Sequence, residues 1–323
     1  MTMKARAAAG RKEGPGTGRL ADGRLHLSHG PIDLIIRVEG ETGAVEAAES
    51  RAIQRFETML CELVAELPDL RRPVSRTARR FNSATARRIE EAARQHWPFF
   101  ITPMAAVAGS VADEMLSAIM AGAGSERAPS ALTRVHVNNG GDAAFHLAAG
   151  ENLTLAIAGH DGVISRKSLD DLPARITIPA FSPIRGVATS GWHGRSHSMG
   201  IADAVTVLAR TAGQADAAAT LIANEIDVEA REHPAIRRLP ARCLMPDSDL
   251  GDRPVTVAVN PDLLSQDDIA SALERGCRLA DDLARRGLIE AAVLFLSGQS
   301  AMTDKTSWQG VLTHQRDMEF VDG

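Results

Sequence analysis

The chain has 323 residues, enough for one large domain or two smaller ones sharing a core, with 44% hydrophobic and 24% charged residues, as in soluble globular proteins. A formal net charge of −5 and 3% aromatics with no tyrosine argue against a basic, base-stacking nucleic-acid surface. Cys61, Cys243 and Cys277 are odd in number and far apart, so neither a disulfide framework nor a zinc site is indicated, and no run approaches the roughly 18 apolar residues of a membrane span.

The N-terminus, MTMKARAAAGRKEGPGTG, is basic but has no apolar segment. It reads as a disordered arm over residues 1–20, not a secretory signal, and the protein is expected to be cytoplasmic. Residues 21–300 read as a single domain, or two intimately packed halves, and 301–323 as a tail. Arg24–Ser28 and Ile32–Val38 have strand character, the second with clean alternation, and His29-Gly30-Pro31 is a turn between them. From Ala44 to Leu67 the residues Ile53, Phe56, Leu60, Leu63, Val64 and Leu67 keep helical spacing, and Pro68 is expected to end that helix. Arg71 to Arg94 is arginine-rich, an anion-binding face or, more simply, a solvated one.

Pro98–Leu116 reads as an extended approach, then a helix of small residues from Ala105. Gly109 within it costs about 1 kcal/mol relative to alanine, which close packing or ligand approach would explain. Leu132–Val137 is a strand, Asn138-Asn139-Gly140-Gly141-Asp142 a turn, and Phe145–Leu147 and Leu153–Ala158 the next strands of an antiparallel meander. Arg175–Ile178 is another strand.

Gly186–Ile226 is the centre of the chain. Ala188-Thr189-Ser190-Gly191 reads as a small, glycine-rich turn. Trp192 to Ser198 crowds His193, Arg195, Ser196 and His197 together; the imidazoles are candidates for acid–base work, and Trp192 for covering a planar ligand. An apolar run, Ala204–Ala209, precedes a helical segment. In it Asp216 and Thr220, four apart, face the same way as oxygen donors for a hard cation or a phosphate. Glu225–Pro246 reads as a long connection, Val255–Val259 as a strand, Gln266–Arg286 as a helix capped by Gly287, and Ala291–Leu296 as a final strand. From Gln299 onward there is no clear period.

Taken in order, MAAVAGSVADEML, VNNGGDAAF, ATSGWHGR and ADAVTVLARTAGQADAAAT resemble the superfamily of ApbE, the FAD:protein FMN transferases. They are most similar to an ApbE-like branch found in methanogens and many bacteria. The resemblance implies an α+β fold, with mixed or antiparallel sheets flanked by helices. It implies magnesium and FAD as cofactors, with Asp216, Thr220 and the Ala105 carbonyl as metal ligands. It implies Gly109, Asp113, Gly140, Gly141, Asp142, Thr189, Ser190 and Gly191 as cofactor-binding residues. Ala108 stands where the transferases carry a lysine, and His197 falls near the position of a family histidine.

Three functions are therefore expected to compete. The first is a magnesium-dependent flavin enzyme, including FMN transfer to an acceptor protein. The second is a different enzyme on the same scaffold, using His193, Arg195, Ser196 and His197 on a small anionic or heterocyclic molecule. The third is a non-catalytic binding or assembly module. No nucleic-acid or membrane partner is expected; a homodimer is compatible with the sequence but not required by it.

Overall fold

The computed structural model describes residues 14–121, 131–157, 174–194, 196–230 and 232–303. The fold is α+β, and every strand pair described is antiparallel. Nine strands form the main sheet in the order β1-β2-β3-β4-β5-β8-β9-β12-β13. They are β1 (Gly16–Arg19), β2 (Leu25–His29), β3 (Ile32–Gly40), β4 (Leu132–Asn139), β5 (Asp142–Leu147), β8 (Gly186–Ser190), β9 (Ala204–Ala209), β12 (Ala291–Leu296) and β13 (Gln299–Met302). Two small hairpins stand apart, β6 (Asn152–Ile157) with β7 (Ala174–Pro179) and β10 (Ile236–Pro240) with β11 (Pro254–Val259).

The sheet lies between two layers. On one face pack α1 (Thr42–Leu70), α2 (Ala84–Arg94), α3 (Val107–Met120), α4 (Ala212–Glu225) and α6 (Gln266–Arg285). On the other, Ile176 and Ile178 of β7 join Phe145, Leu147, Leu208 and Val293 in a third apolar cluster. Alternation explains the layering: Ala144 faces the helices and Phe145 the hairpin. Strand β9 is buried at every position, as a strand covered on both faces must be.

Several expectations need correction. Gly16–Arg19, placed by the sequence in a disordered arm, is an edge strand on β2; all four residues are exposed, so no apolar rhythm reveals it. Residues 1–13 lie outside the described residues, as do 304–323 of the expected tail. Pro68 lies inside α1, which runs on to Leu70: the missing N–H costs one bond, to the turn before it, while the Arg71 N–H still reaches the Leu67 carbonyl at 3.0 Å. Val64, assigned to the apolar stripe, is 56% exposed. The meander stops after β5, because β6 leaves the main sheet to pair with β7. Ala188–Ser190 is the end of a strand, not a turn. The long connection after Glu225 contains β10 and the short helix α5 (Ala241–Leu244), and Gln299–Met302 pairs with β12.

Strands β5 and β8 meet through only two residue pairs, Ala143↔Val187 and Ala144↔Gly186. At this narrow seam the backbone of β8 passes directly against α4: a Cβ on Gly186 would lie 2.1 Å from the Ala212 nitrogen. Among the described residues no helix is long and apolar enough to cross a membrane.

Candidate functional site

At the seam, α3 and α4 exchange carboxylates. Asp216 of α4 accepts the Gly109 N–H of α3 on Oδ2 at 2.9 Å. In return Asp113 of α3 accepts the Ala212 N–H on Oδ1 at 2.9 Å and the Gly213 N–H on Oδ2 at 2.8 Å, at the start of α4. Helix N-termini carry unpaired amides and partial positive charge, so each helix satisfies the other's start. Thr211 adds a side-chain cap, accepting the Gln214 N–H at 3.2 Å. The contact demands glycine: a Cβ on Gly109 would lie 2.1 Å from the Ala212 carbonyl oxygen.

A cavity of about 540 Å³ opens beside this interlock. Ala105, Gly140, Asp142, Thr189, Ser190, Gly191, His193, His197, Asp216 and Thr220 all line it, so residues from four separate stretches of the chain are brought together. Of the other expected residues, Gly109 and Asp113 stand behind the wall, where they hold α3 to α4, and Gly141 is outside the lining. Arg195 lies outside the described residues. Trp192 is not part of the cavity lining; its indole N–H points to Asp203 Oδ1 at 3.4 Å.

Hairpin chemistry positions the Gly140 turn. Asn139 pairs with Asp142 across a two-residue loop, and Gly140 and Gly141 have φ of 68° and 121°, values that glycine adopts without a side-chain clash. Asn139 ties the turn to α3, donating from Nδ2 to the Ala108 carbonyl at 3.0 Å. Asp142 accepts the Thr189 N–H at 3.1 Å, which links β5 to β8 beyond their short ladder. Thr189 Oγ1 and Thr206 Oγ1 share a hydrogen bond of 2.9 Å.

The electrostatics converge on Asp216. Burial pushes its carboxyl well above the usual range, the charges of Asp142 and Asp113 push it further, and the Gly109 and Ala108 amides pull it back. Burial also raises Asp113, against its two amide donors and Arg88. Such a cluster of carboxylate oxygens favours a cation or a proton. Among the described residues no three His, Cys, Asp or Glu side chains gather closely enough to hold a metal alone. Any ion held at Asp216 would need hydroxyl, carbonyl or water oxygens as well.

Sequence reasoning missed the outer wall, where Phe100, Thr102 and Met104 face Met245, Asp249 and Leu250. Thr102 donates to Asp249, and the Arg253 guanidinium lies 3.3 Å from the centroid of the Phe100 ring. It also missed Asn224, which accepts the Met199 N–H at 2.9 Å and so fixes the loop bearing His197. An asparagine four residues after Thr220 was the one available signal, since i and i+4 share a helix face. Within the arginine-rich stretch Arg79 pairs with Glu90 at 2.8 Å and Arg88 with Glu114 at 2.8 Å.

A family model described as "AbpE bacteria" matches residues 17–302. The UPF0280 protein of Methanopyrus kandleri is 33% identical over 199 residues, 61% of this chain and 57% of that protein. The UPF0280 protein of Methanocella arvoryzae is 33% identical over 196 residues, 60% of this chain and 65% of that protein. The matched stretches thus span less than two thirds of these curated relatives. Among solved structures, the chain is similar to the ApbE protein of Thermotoga maritima, with 11% identity and a TM-score of 0.48 over 90% of this chain and 98% of that one. It is also similar to the flavin transferase ApbE from Vibrio cholerae, with 13% identity and a TM-score of 0.46 over 90% and 99%.

Proposed function

The chain belongs to the family described as AbpE bacteria, and from that premise we propose that it is a magnesium-dependent enzyme that binds FAD and transfers FMN to an acceptor protein. One observation carries the reading. Asp216 is held by backbone amides on the wall of a 540 Å³ cavity, with the charges of Asp142 and Asp113 close enough to push its carboxyl upward. That volume lies in the range of small-molecule sites.

The donor set fits magnesium. Asp216, the Thr220 hydroxyl and the Ala105 carbonyl would hold it, with water completing the oxygen shell. When bound, magnesium supplies positive charge against a pyrophosphate. The chain's own residues do the rest. Gly109 fixes the Asp216 carboxylate, Asp142 braces the Gly140 turn against β8, and Phe100, Met104 and Met245 provide an apolar wall suited to a planar ring. Ala108 leaves the place of the transferase lysine without charge, so Asp216 depends on amides for its orientation. The reading includes a cytoplasmic location and does not require a dimer.

The test is FAD fluorescence titrated with protein, with magnesium and with EDTA, followed by AMP release in the presence of threonine-bearing acceptor peptides. Binding that needs magnesium and weakens at least about tenfold in Asp216→Ala, the scale of one lost charge-assisted contact, is the expected result. An unchanged FAD signal with no AMP released would remove flavin chemistry from this cavity.

A further inference from the structure

On the cavity wall His193 is paired with Asp203, which stands behind the lining. Asp203, at the entry to β9, places Oδ1 at 3.3 Å from His193 Nε2 and 3.4 Å from Trp192 Nε1. Its other oxygen, Oδ2, accepts the Ser297 N–H at 2.6 Å from the β12–β13 turn, and its own N–H donates to the Phe295 carbonyl at 3.0 Å. Two stretches of chain, Trp192–His193 and Phe295–Ser297, thus hold this one residue. The backbone closes tightly around it: a Cβ on Gly191 would lie 2.4 Å from the Asp203 carbonyl oxygen. The Trp192 and His193 rings lie 3.7 Å apart between centroids, tilted by 38°, which limits how the imidazole can turn.

An imidazole lining a ligand cavity and oriented by a carboxylate that is itself fixed is the arrangement of a positioned base. We propose that His193 is the proton acceptor of this cavity and that Asp203 is the positioning residue that holds its ring. The role rests on the ligand-cavity reading above, and the pair itself can be tested without flavin. In the transfer, a hydroxyl oxygen of the acceptor bonds to the phosphorus of the FMN half of FAD. The phosphoanhydride P–O bond breaks, and its electron pair leaves on the phosphate of AMP. His193 takes the hydroxyl proton, and the imidazolium faces Asp203. The other titratable groups lining the cavity are His197, Asp142, Asp216 and Asp249.

The test begins with NMR of the full-length protein. The His193 Cε1–H signal is assigned by its loss in His193→Gln, and its titration is followed in the wild type, in Asp203→Asn and in His197→Gln. A neighbouring carboxylate favours the charged imidazole, so Asp203→Asn should lower the His193 midpoint by about half to one pH unit, while His197→Gln leaves it in place. Ring nitrogen shifts of the wild type should show the tautomer with hydrogen on Nε2, a readout that survives even if the Asp203 variant folds poorly. An unmoved midpoint in a folded Asp203→Asn, or hydrogen on Nδ1 in the neutral wild-type ring, overturns the pairing. Where AMP release is measured, the acid limb of kcat should follow the His193 midpoint in Asp203→Asn with little change in KM. Wild-type kcat in His193→Gln, with the limb moving only in His197→Gln, overturns the base assignment. Absence of AMP release counts against the flavin reading and leaves the NMR titration to decide the pair.

Discussion

The two halves of the main sheet are packed by different means. Over β2–β5 the core is built of bulky side chains, among them Phe56, Met59, Ile89, Met115 and Ile119. Over β8–β12 the buried cluster holds no phenylalanine or methionine, and alanines such as Ala188, Ala209, Ala215 and Ala218 stand among valine, leucine and isoleucine. In the first half, side-chain volume sets the distance between helix and sheet. At the seam between the two, glycines let backbones approach, as Gly186 and Gly109 do against the start of α4. The first half should therefore suffer most from lost volume, and the seam from added volume. The cavity lies where the two regimes meet, and Ala212 and Ala217 of α4 already belong to the bulky core.

The largest expected effect tests the bulky half. Phe56 is 1% exposed, and Phe56→Ala should cost about 3–5 kcal/mol in urea unfolding. A loss below about 1 kcal/mol would mean that the helices collapse into the gap, and the contrast would disappear.

The next effect is set by pH where the halves touch on the outside. His96 follows α2, is 2% exposed and lies near Arg286 at the end of α6, which also donates to the Gln95 carbonyl at 3.2 Å. Burial first, and Arg286 second, lower its pKa to about 4. The unfolded chain binds the extra proton from about pH 6.5 downward, so this contribution is complete above that pH and is lost as pH falls towards 4. It amounts to about 3 kcal/mol on the scale of 1.4 kcal/mol per tenfold. His136 and His146 are lowered in the same direction and add to the slope. Comparing the wild type with His96→Leu in urea at pH 7 and pH 4.5 isolates the His96 share; an identical pH dependence would show that His96 binds its proton equally in the folded and unfolded chain, against the burial argument.

The smallest effect tests the seam. Alanine gains about 1 kcal/mol over glycine inside a helix. At Gly109, however, the new methyl meets a backbone carbonyl, which cannot rotate away. Overpacking should win by about 1–3 kcal/mol, with α3 and α4 forced apart and Asp216 losing its amide donor. A neutral or stabilising Gly109→Ala would show that the two helices can separate without cost.

Periodicity explains what the sequence made visible. The alternation of β3, the stripes of α1 and α6 and the apolar runs of β9 and β12 each bury one or both faces, so burial is written into residue order. Strands β1 and β10 were hidden because their side chains are mostly exposed or half-buried and backbone pairing alone holds them. Asp216 and Thr220, and Gly140 in its turn, stood out because helix spacing and turn chemistry are local signals, whereas Ala105 entered only through the family resemblance; the structure places all four on one cavity wall. Asp203 did not stand out: its partner Ser297 is 94 residues away, and a single aspartate before an apolar strand resembles any solvated residue. Asp113 was assigned to a ligand because its carboxylate matched a pattern; only the coordinates show both oxygens taken by the start of α4.

The carboxylate exchange between α3 and α4 also bears on engineering. Neither helix start is a self-contained module: transplanting the Asp216 segment into another scaffold without its counterpart would strand a negative charge in an apolar slot, and moving the Asp113 segment alone would leave two amides of α4 bare. A designer borrowing this floor has to carry both pieces as one cassette, with glycine at the crossing point, or rebuild the crossing from nothing.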